Sequence, residues 1–156
     1  MHYMQPDVDI HGGKCILRPA RAEEMAAVYA IEVDSFRSPW SYASFVNELS
    51  TSFSRFIVAE LPGGIAGYAV AWHVTGEIQL NHIAVKKEYR RRGIARALID
   101  HIVAELRPQG AGVILLEVAS KNAAALNFYR ALGFAENGTR RNYYPDDDAI
   151  LMEKRI

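Results

Sequence analysis

One basic segment between an apolar run and an amphipathic stretch constrains the fold of this chain more than any other feature. The run Ile83-Ala84-Val85 predicts the end of a strand, residues 90–95 are Arg-Arg-Arg-Gly-Ile-Ala, and an amphipathic helix is predicted over residues 93–106. A strand that turns through a glycine-containing loop into a helix directs backbone N–H groups and the positive helix end at one place. The segment therefore predicts an α/β arrangement with a binding site for a phosphate group.

Hydrophobic periodicity predicts strands and helices along the rest of the chain. Helices are predicted over residues 22–35, 41–49, 93–106 and 122–132, with Ser41 as the N-cap of the second. Strands are predicted over residues 15–18, 53–60, 65–73, 77–85, 113–118 and 149–152, and another opens at Phe134. We expect an α/β sandwich in which the nearly continuous apolar run 113–118 is buried on both faces.

Composition narrows the class of protein. The chain has 156 residues, which fits one domain, and its 18 Lys and Arg balance 18 Asp and Glu. Zero net charge argues against a dedicated nucleic-acid binder. The single cysteine, Cys15, permits no intrachain disulfide, which fits a reducing compartment. No apolar run approaches the ~20 residues of a membrane helix, and residues 1–14 hold no signal core. We expect a cytoplasmic protein with a flexible arm over residues 1–13 and a single domain over residues 14–156.

Three residues have types and positions that suit catalysis, and each has a structural alternative. Glu117 interrupts the apolar strand 113–118, so it is either a general base in a cleft or a strand-end glutamate that faces solvent. Tyr129, on the helix 122–132, is either a core aromatic residue or a proton donor to a leaving group. His82 is either a hydrogen-bonded strand residue or a second base.

Other catalytic patterns are missing from the sequence. The basic loop lacks the Lys-Ser/Thr ending of a P-loop and the three glycines of a dinucleotide fingerprint. Five histidines and one cysteine show no metal-ligand spacing, so no metal site is predicted. No serine lies in a nucleophile elbow.

Four segments together resemble the Gcn5-related N-acetyltransferase (GNAT) superfamily. They are residues 81–85, residues 90–95, the stretch Leu116-Glu117-Val118 with Asn122, and residues 125–134. The resemblance extends from about Cys15 to the C-terminus. Two shorter segments, residues 36–41 (Phe-Arg-Ser-Pro-Trp-Ser) and 140–145 (Arg-Arg-Asn-Tyr-Tyr-Pro), are similar to the bacterial ribosomal-protein-alanine N-acetyltransferases of the RimI type.

The resemblance implies a GNAT fold, with a central, mixed and mostly antiparallel sheet of about six to seven strands, splayed at the cofactor site and flanked by about four helices. It implies acetyl-CoA as the acetyl donor, Glu117 as general base and Tyr129 as general acid. The main chain of Ile83, Ala84 and Val85 would bind the pantetheine arm, and Asn122 would lie near the thiol. The residues that would hold the pyrophosphate are Arg91, Arg92, Gly93, Ile94, Ala95 and Arg96.

Two positions depart from the family pattern. Ala95 replaces the second glycine of the commonest loop, which the superfamily tolerates. His82 stands where an aliphatic or polar residue is usual, which leaves open which residue is the base.

The resemblance implies that the acceptor is the N-terminal α-amine of a protein, with the N-terminal alanine of a ribosomal protein as the expected case. Pro39 and Trp40 on one side, and Tyr143 and Tyr144 on the other, would form the walls of a peptide groove, or else pack on the edge of the core. The three aspartates 146–148 are either a solvated turn or an attraction for a basic substrate tail.

Two other functions stay open. One is acetylation of a small-molecule amine, which a closed acidic pocket would favour. The other is CoA binding without turnover, against which the presence of both Glu117 and Tyr129 speaks. We expect no nucleic-acid or membrane partner, and a monomer or weak dimer.

Overall fold

Eight strands form one sheet in the computed structural model, which describes residues 7–156. In chain order they are β1 (Asp7–Ile10), β2 (Gly13–Pro19), β3 (Ser54–Leu61), β4 (Gly64–Val74), β5 (Glu77–Val85), β6 (Val113–Ala119), β7 (Ala135–Tyr144) and β8 (Asp147–Arg155). Their order across the sheet is β1-β2-β3-β4-β5-β6-β8-β7. Only β5 and β6 run parallel to each other among these neighbours. The predicted mixed and mostly antiparallel sheet is confirmed.

Four α-helices cover the sheet in this part of the chain. They are α1 (Met25–Ser35), α2 (Tyr42–Glu48), α3 (Ile94–Leu106) and α4 (Ala123–Ala131). The first predicted helix begins with a separate 3-10 turn, Ala22–Glu24, and the N-cap prediction for α2 is confirmed because the Ser41 side chain accepts the N–H of Ser44. All four predicted helices are therefore present.

Strand β1 was not predicted, because its residues lie in the segment assigned to a flexible arm. It pairs with β2 from Asp7 opposite Ile16 to Ile10 opposite Gly13, and Val8 and Ile10 pack against the main core. A strand of four residues is too short to show a periodic hydrophobic pattern in the sequence. Its backbone hydrogen bonds are made with the edge of β2, which no local pattern predicts. Of the rest of the predicted arm, residues 11 and 12 form the turn into β2, which begins at Gly13, and residues 1–6 lie outside the described residues.

Helices on the two faces of the sheet bury two separate clusters. The larger lies under α3 and α4, and the predicted four-residue stripe of α3 is buried there: Ile94, Leu98, Ile102 and Leu106. The smaller lies under α1 and α2, where Met25, Val28 and Phe45 pack against β3 and β4. Helices thus cover both faces of the sheet. The sheet also opens between two of its own strands.

This opening lies between β5 and β6. The two strands pair over three positions only, from Glu77 opposite Val113 to Gln79 opposite Leu115. Beyond this point β5 stays paired with β4, and β6 stays paired with β8 as far as Ala119. The sheet therefore splays into a gap whose walls are the second halves of β5 and β6.

Candidate active site between β5 and β6

Two cavities meet at this gap. The larger, of about 410 Å³, is also lined by residues of β7 and by Trp40. The smaller, of about 200 Å³, is also lined by residues of α4 and by Phe36. The residues that line both cavities are Leu80, Asn81, His82, Leu116, Glu117 and Tyr144. This arrangement suits a reaction between two molecules that approach from different sides.

A β-bulge in β5 determines which way His82 points. Leu80 lies opposite Ala71 and His82 opposite Val70, so Asn81 is an extra residue without a partner on β4. A bulge exchanges the faces of the residues that follow it. Leu80 accordingly belongs to the cluster under α3, whereas His82 faces α1.

The partner of His82 on α1 is Glu32, a carboxylate with no solvent exposure. Glu32 Oε1 lies 3.1 Å from His82 Nδ1 and also accepts the hydroxyl of Tyr68. Glu32 Oε2 accepts the backbone N–H of Trp40 at 2.8 Å. Three donors thus satisfy one buried carboxylate, and they connect α1, β4, β5 and the segment that leads into α2.

These hydrogen bonds keep Glu32 ionised. Burial alone would raise the pKa of this carboxyl, but the hydrogen bonds from His82, Tyr68 and the Trp40 N–H outweigh it, and the pKa is lowered. Burial and the hydrogen bond to Glu32 raise the pKa of Tyr68, so its hydroxyl stays protonated. A negative charge at neutral pH therefore lies behind His82.

Glu117, the predicted general base, projects from β6 into the gap and lines both cavities. Its side chain is 29% exposed, and Oε1 lies 3.4 Å from Nε of Arg140 on β7. The negative charge of Glu117 is the largest cause of the raised pKa of Tyr143. Glu117 is therefore a half-buried, accessible carboxylate, which suits contact with a cationic amine.

Tyr129, the predicted general acid, lies on α4 and lines the smaller cavity. It is 8% exposed and packs edge-on against Phe128 and Phe134. Burial raises the pKa of its hydroxyl, so the group keeps its proton at neutral pH. The structure shows the packed ring of the core interpretation, and the position of Tyr129 beside the smaller cavity is compatible with the predicted role of proton donor.

The loop predicted to bind phosphate, residues 90–95, leads directly into α3, and we call it the phosphate loop. Gly93 is the N-cap with φ of 86°, and Arg91 also has a positive φ of 63°. Among residues 7–156, no side chain caps this helix end, so within this range the first-turn N–H groups remain free for an anion. The Ile94 side chain is buried in the core, which leaves its backbone N–H as the available group. The loop fits a pyrophosphate through backbone donors and nearby arginines.

The arginines of the loop and helix differ in their surroundings. The Arg92 guanidinium lies over the ring of Tyr89, and the exposed Arg96 pairs with Asp100 one turn later, at 3.8 Å. The Arg90 side chain turns back to the carbonyl of Val85, at 2.9 Å. Arg91 makes no ion pair among the described residues, and its exposed side chain is free to meet a phosphate.

The three residues predicted to bind pantetheine through their main chain are not equivalent. The Lys86 N–H donates to Ala66 of β4, so antiparallel alternation turns the backbone groups of Ile83 and Val85 away from β4 and those of Ala84 towards it. With its carbonyl engaged by Arg90, Val85 offers its N–H to the gap. Two of the three predicted residues therefore present backbone groups to the gap, while Ala84 does not.

Asn122 lines the smaller cavity and also has a structural role. Its side-chain oxygen accepts the N–H of Ala125 at 3.1 Å, which makes it the N-cap of α4. The amide nitrogen of this side chain remains as a donor towards the cavity.

The predicted acceptor walls come together in part. Trp40, Tyr143 and Tyr144 line the larger cavity, whereas the exposed Pro39 does not. The aspartate turn 146–148 is held by hydrogen bonds, since Asp147 accepts the Lys121 N–H and Asp148 accepts the Asn142 N–H, both at 2.8 Å. These hydrogen bonds give the turn a structural role. The sequence predicted either a solvated turn or an attraction for a basic substrate tail.

Sequence reasoning missed Glu32, Tyr68 and Arg140 as members of the site. One available indication was that Glu32 lies four residues after Val28, on the buried stripe of α1, where a carboxylate needs partners. Tyr68 and Arg140 carried no local indication, because their roles depend on strand pairing.

In residues 7–156, no helix combines the length and apolar character that crossing a bilayer requires. Over the same residues, His, Cys, Asp and Glu side chains form no group of three that would hold a metal ion.

Comparison with known proteins agrees with this geometry. The chain matches the acetyltransferase (GNAT) family over residues 25–134. It is 38% identical over 133 residues to the [ribosomal protein bS18]-alanine N-acetyltransferase of Escherichia coli K12, a match covering 83% of this chain and 89% of that protein. It is 36% identical over 142 residues to a putative [ribosomal protein bS18]-alanine N-acetyltransferase of Bacillus subtilis. That match covers 89% of this chain and 94% of that protein. The crystal structure of the E. coli ribosomal-protein-S18-alanine N-acetyltransferase superposes with a TM-score of 0.83 at 34% identity, covering 91% of this chain and 94% of that one.

Proposed function

This chain belongs to the acetyltransferase (GNAT) family, and we propose that it transfers the acetyl group of acetyl-CoA to the N-terminal α-amine of a protein. The acceptor that we propose is the N-terminal alanine of a ribosomal protein, as in the names of its relatives from E. coli and B. subtilis. The observation that carries the proposal is that two cavities meet at Glu117, one bordered by Tyr129 and the other by Trp40 and Tyr143.

Donor binding is assigned to the loop before α3 and to the open side of β5. The free N–H groups of the first turn of α3, with Arg91, would hold the pyrophosphate. The outward backbone groups of Ile83 and the N–H of Val85 would bind the pantetheine arm as an added strand. These contacts direct the donor along the gap towards the smaller cavity.

The chemistry requires proton transfers that the gap residues are placed to make. Acetyl-CoA supplies a thioester whose carbonyl carbon is open to attack by an amine. An α-amine has a pKa of about 7.7–8.0, so at neutral pH it arrives largely as an ammonium and must lose a proton. Glu117 contacts this cation and accepts a proton from its nitrogen as that nitrogen attacks the acetyl carbon, directly or through water. Tyr129 donates its proton to the departing sulfur, and the Val85 N–H stabilises negative charge on the carbonyl oxygen.

The larger cavity supports a peptide rather than a small amine as the acceptor. Its outer wall includes Tyr143, which is 51% exposed, so the space opens to solvent. Trp40 and Tyr144 give it aromatic sides that suit an extended chain. A ribosomal acceptor would also place the reaction in the cytoplasm.

The proposal is tested with a panel of amines. The purified protein is incubated with acetyl-CoA and a short peptide that begins with alanine, and mass spectrometry locates the added acetyl group. The controls are the same peptide with a blocked N-terminus and an internal lysine, and a polyamine. Acetylation of the free α-amine alone is expected, and acetylation of only lysine or polyamine would contradict the proposal.

A further inference from the structure

His82 is attached to a buried anion in a way that leaves one ring nitrogen free. Its Nδ1 lies 3.1 Å from Oε1 of Glu32, and an ionised carboxylate only accepts hydrogen bonds. In the neutral form of the ring, Nδ1 therefore carries the proton and Nε2 carries a lone pair. Nε2 makes no hydrogen bond to any residue in the range 7–156, unlike the nitrogens of a fully satisfied strand histidine.

The ring of His82 is held in this orientation. The Trp40 ring lies against it with centroids 3.9 Å apart, and the Phe36 ring meets it edge-on at 5.4 Å. The side chain is 13% exposed and lines both cavities. With Nδ1 turned towards α1, Nε2 is the nitrogen left to the space where the cavities meet.

The charges around His82 favour a proton on the ring once it is transferred. The titratable groups around His82 come from each element packed on the gap. Glu32 of α1 contacts the ring, and Tyr68 of β4 donates a hydrogen bond to Glu32. The groups that line the same cavities as His82 are Glu117 from β6, Tyr129 from α4, and Arg140, Tyr143 and Tyr144 from β7. Of all these groups, only Glu32 contacts the ring at hydrogen-bonding distance. The single cation, Arg140, is paired with Glu117. An imidazolium at His82 would thus be balanced by the buried Glu32.

Acetylation of an ammonium requires two proton losses from the same nitrogen. The α-ammonium has three N–H bonds, and the amide product has one. We propose that Nε2 of His82 takes the first of these protons and Glu117 the second, with Glu32 as the residue that positions and charge-balances His82. This inference rests on the proposed function of the site as an amine acetyltransferase.

The transfers balance as follows. An N–H bond of the ammonium breaks, its electron pair stays on nitrogen, and the proton forms a bond to Nε2. Nδ1 keeps its hydrogen bond to Glu32 throughout. Glu117 accepts the second proton as the nitrogen bonds to the acetyl carbon. Tyr129 gives its proton to the sulfur as the carbon–sulfur bond of the thioester breaks, and Glu117 then returns its proton to Tyr129 through water. His82 releases its proton to water after the product leaves, so one proton is released per turnover.

The first test replaces His82 with a residue that cannot take a proton. His82→Gln is expected to lower kcat/KM by about 10²–10⁴-fold at neutral pH and to remove the acidic limb of its pH profile, with CoA affinity unchanged. The matched control is His101→Gln on α3, where His101 lies 3.9 Å from Glu105, away from the gap. A loss below about threefold in His82→Gln, with the acidic limb retained, would overturn the proposal.

A second variant separates positioning from packing. Glu32→Gln removes the charge behind the ring, and it is expected to lower kcat by about tenfold or more with the KM for acetyl-CoA unchanged, because Nδ1 of His82 loses its charged hydrogen-bond acceptor. A purely structural role for Glu32 would lower the thermal midpoint and leave kcat in place, contradicting the proposal.

A third measurement needs neither a variant nor an acceptor. Nitrogen-15 NMR of histidine-labelled wild-type protein reports which ring nitrogen of His82 is protonated. The Nδ1–H tautomer is expected at neutral pH, and the Nε2–H tautomer would overturn the proposal even if the variants fail to fold. If the protein acetylates another amine instead, the proposed acceptor fails while the His82 tests remain decisive with that amine.

Discussion

The backbone N–H of His11 donates a hydrogen bond to the backbone carbonyl of Arg92, with nitrogen and oxygen 3.0 Å apart. His11 lies in the turn between β1 and β2, at the edge of the sheet, and Arg92 directly precedes Gly93 in the phosphate loop. The unpredicted hairpin therefore fastens the backbone of the loop that we assign to pyrophosphate binding.

A single substitution can remove this hydrogen bond without disturbing the turn. His11 has a negative φ and Gly12 has φ of 96°, the pattern of a turn that accepts proline at its first central position. His11→Pro is expected to weaken CoA binding by about two- to tenfold, the range for one net hydrogen bond. His11→Ala keeps the N–H and is the control. Isothermal titration calorimetry measures the CoA affinity of both variants. Equal affinities would show that the hydrogen bond from His11 does not support the phosphate loop.

Gly93 allows a comparison between backbone strain and ligand binding. Gly93 and Gly110 have left-handed φ of 86° and 97°, and a Cβ at either would meet no atom of the described residues within 4 Å. Alanine at either position is expected to cost about 1–2 kcal/mol of unfolding free energy, because only conformational strain is added. Only Gly93→Ala is expected to weaken CoA binding as well. Urea unfolding and CoA titration of both variants test this, and equal CoA affinities would contradict the assignment of the loop.

Replacement of Glu117 should impair catalysis without unfolding the protein. Glu117→Gln preserves shape but can no longer accept a proton, so kcat/KM is expected to fall by about 10²–10⁴-fold. The control is Glu136→Gln, which removes a surface ion pair with Arg130 outside both cavities. Steady-state kinetics with the alanine peptide compare the two, and similar activities would exclude Glu117 from proton transfer.

Local patterns predicted those parts of the molecule that depend on local geometry. The four-residue spacing of Ile94, Leu98 and Ile102 indicates a buried stripe because the helical period acts within a few residues. Glu117 stood out because a carboxylate in an apolar strand needs an explanation. Family resemblance then supplied the donor and the roles, which periodicity alone could not.

Long-range pairing explains what the sequence did not reveal. Glu32 meets Tyr68 and His82 across 36 and 50 residues of chain, and no pattern within one helix or strand encodes those contacts. The orientation of His82 depends on a bulge that is visible only in the register of β5 against β4. Strand β1 depends likewise on the free edge of β2.

Tyr129 should act as a proton donor over a wide pH range. Burial raises the pKa of its hydroxyl, so the proton stays on oxygen beyond the ordinary value of about 10. Wild-type kcat is therefore expected to show no loss below about pH 10 that is due to this residue. Tyr129→Phe should lower kcat by about 10²–10⁴-fold and keep CoA affinity, because the ring still packs.

Tyr29→Phe is the matched control, since Tyr29 packs edge-on against Tyr42, outside both cavities. Rapid-mixing kinetics with saturating substrates measure kcat for both variants. An unchanged kcat in Tyr129→Phe would mean that the sulfur takes its proton from elsewhere.

Stability in acid should depend on a buried ion-pair group around Arg18. Its side chain is 4% exposed, pairs with Glu24 and lies 2.7 Å from Glu60. The hydrogen bond from Arg18 is the largest cause of the lowered pKa of Glu24. Because the folded-state pKa lies below the unfolded value of about 4.3, this stabilisation is complete above that pH and is lost as the pH falls through the folded-state value.

Glu24→Gln removes the titrating partner and leaves Arg18 with Glu60. It is expected to lower the unfolding free energy at pH 7 by about 1–3 kcal/mol, since Arg18 loses a charged hydrogen-bond partner. As the pH falls from about 4.3 through the folded-state pKa of Glu24, the wild type progressively loses the same contribution, so the two curves should converge. Urea unfolding between pH 3 and 7 measures the difference, with the exposed neighbour Glu23→Gln as the control. A difference that stayed constant across this range would mean that Glu24 stabilises the fold through packing rather than charge.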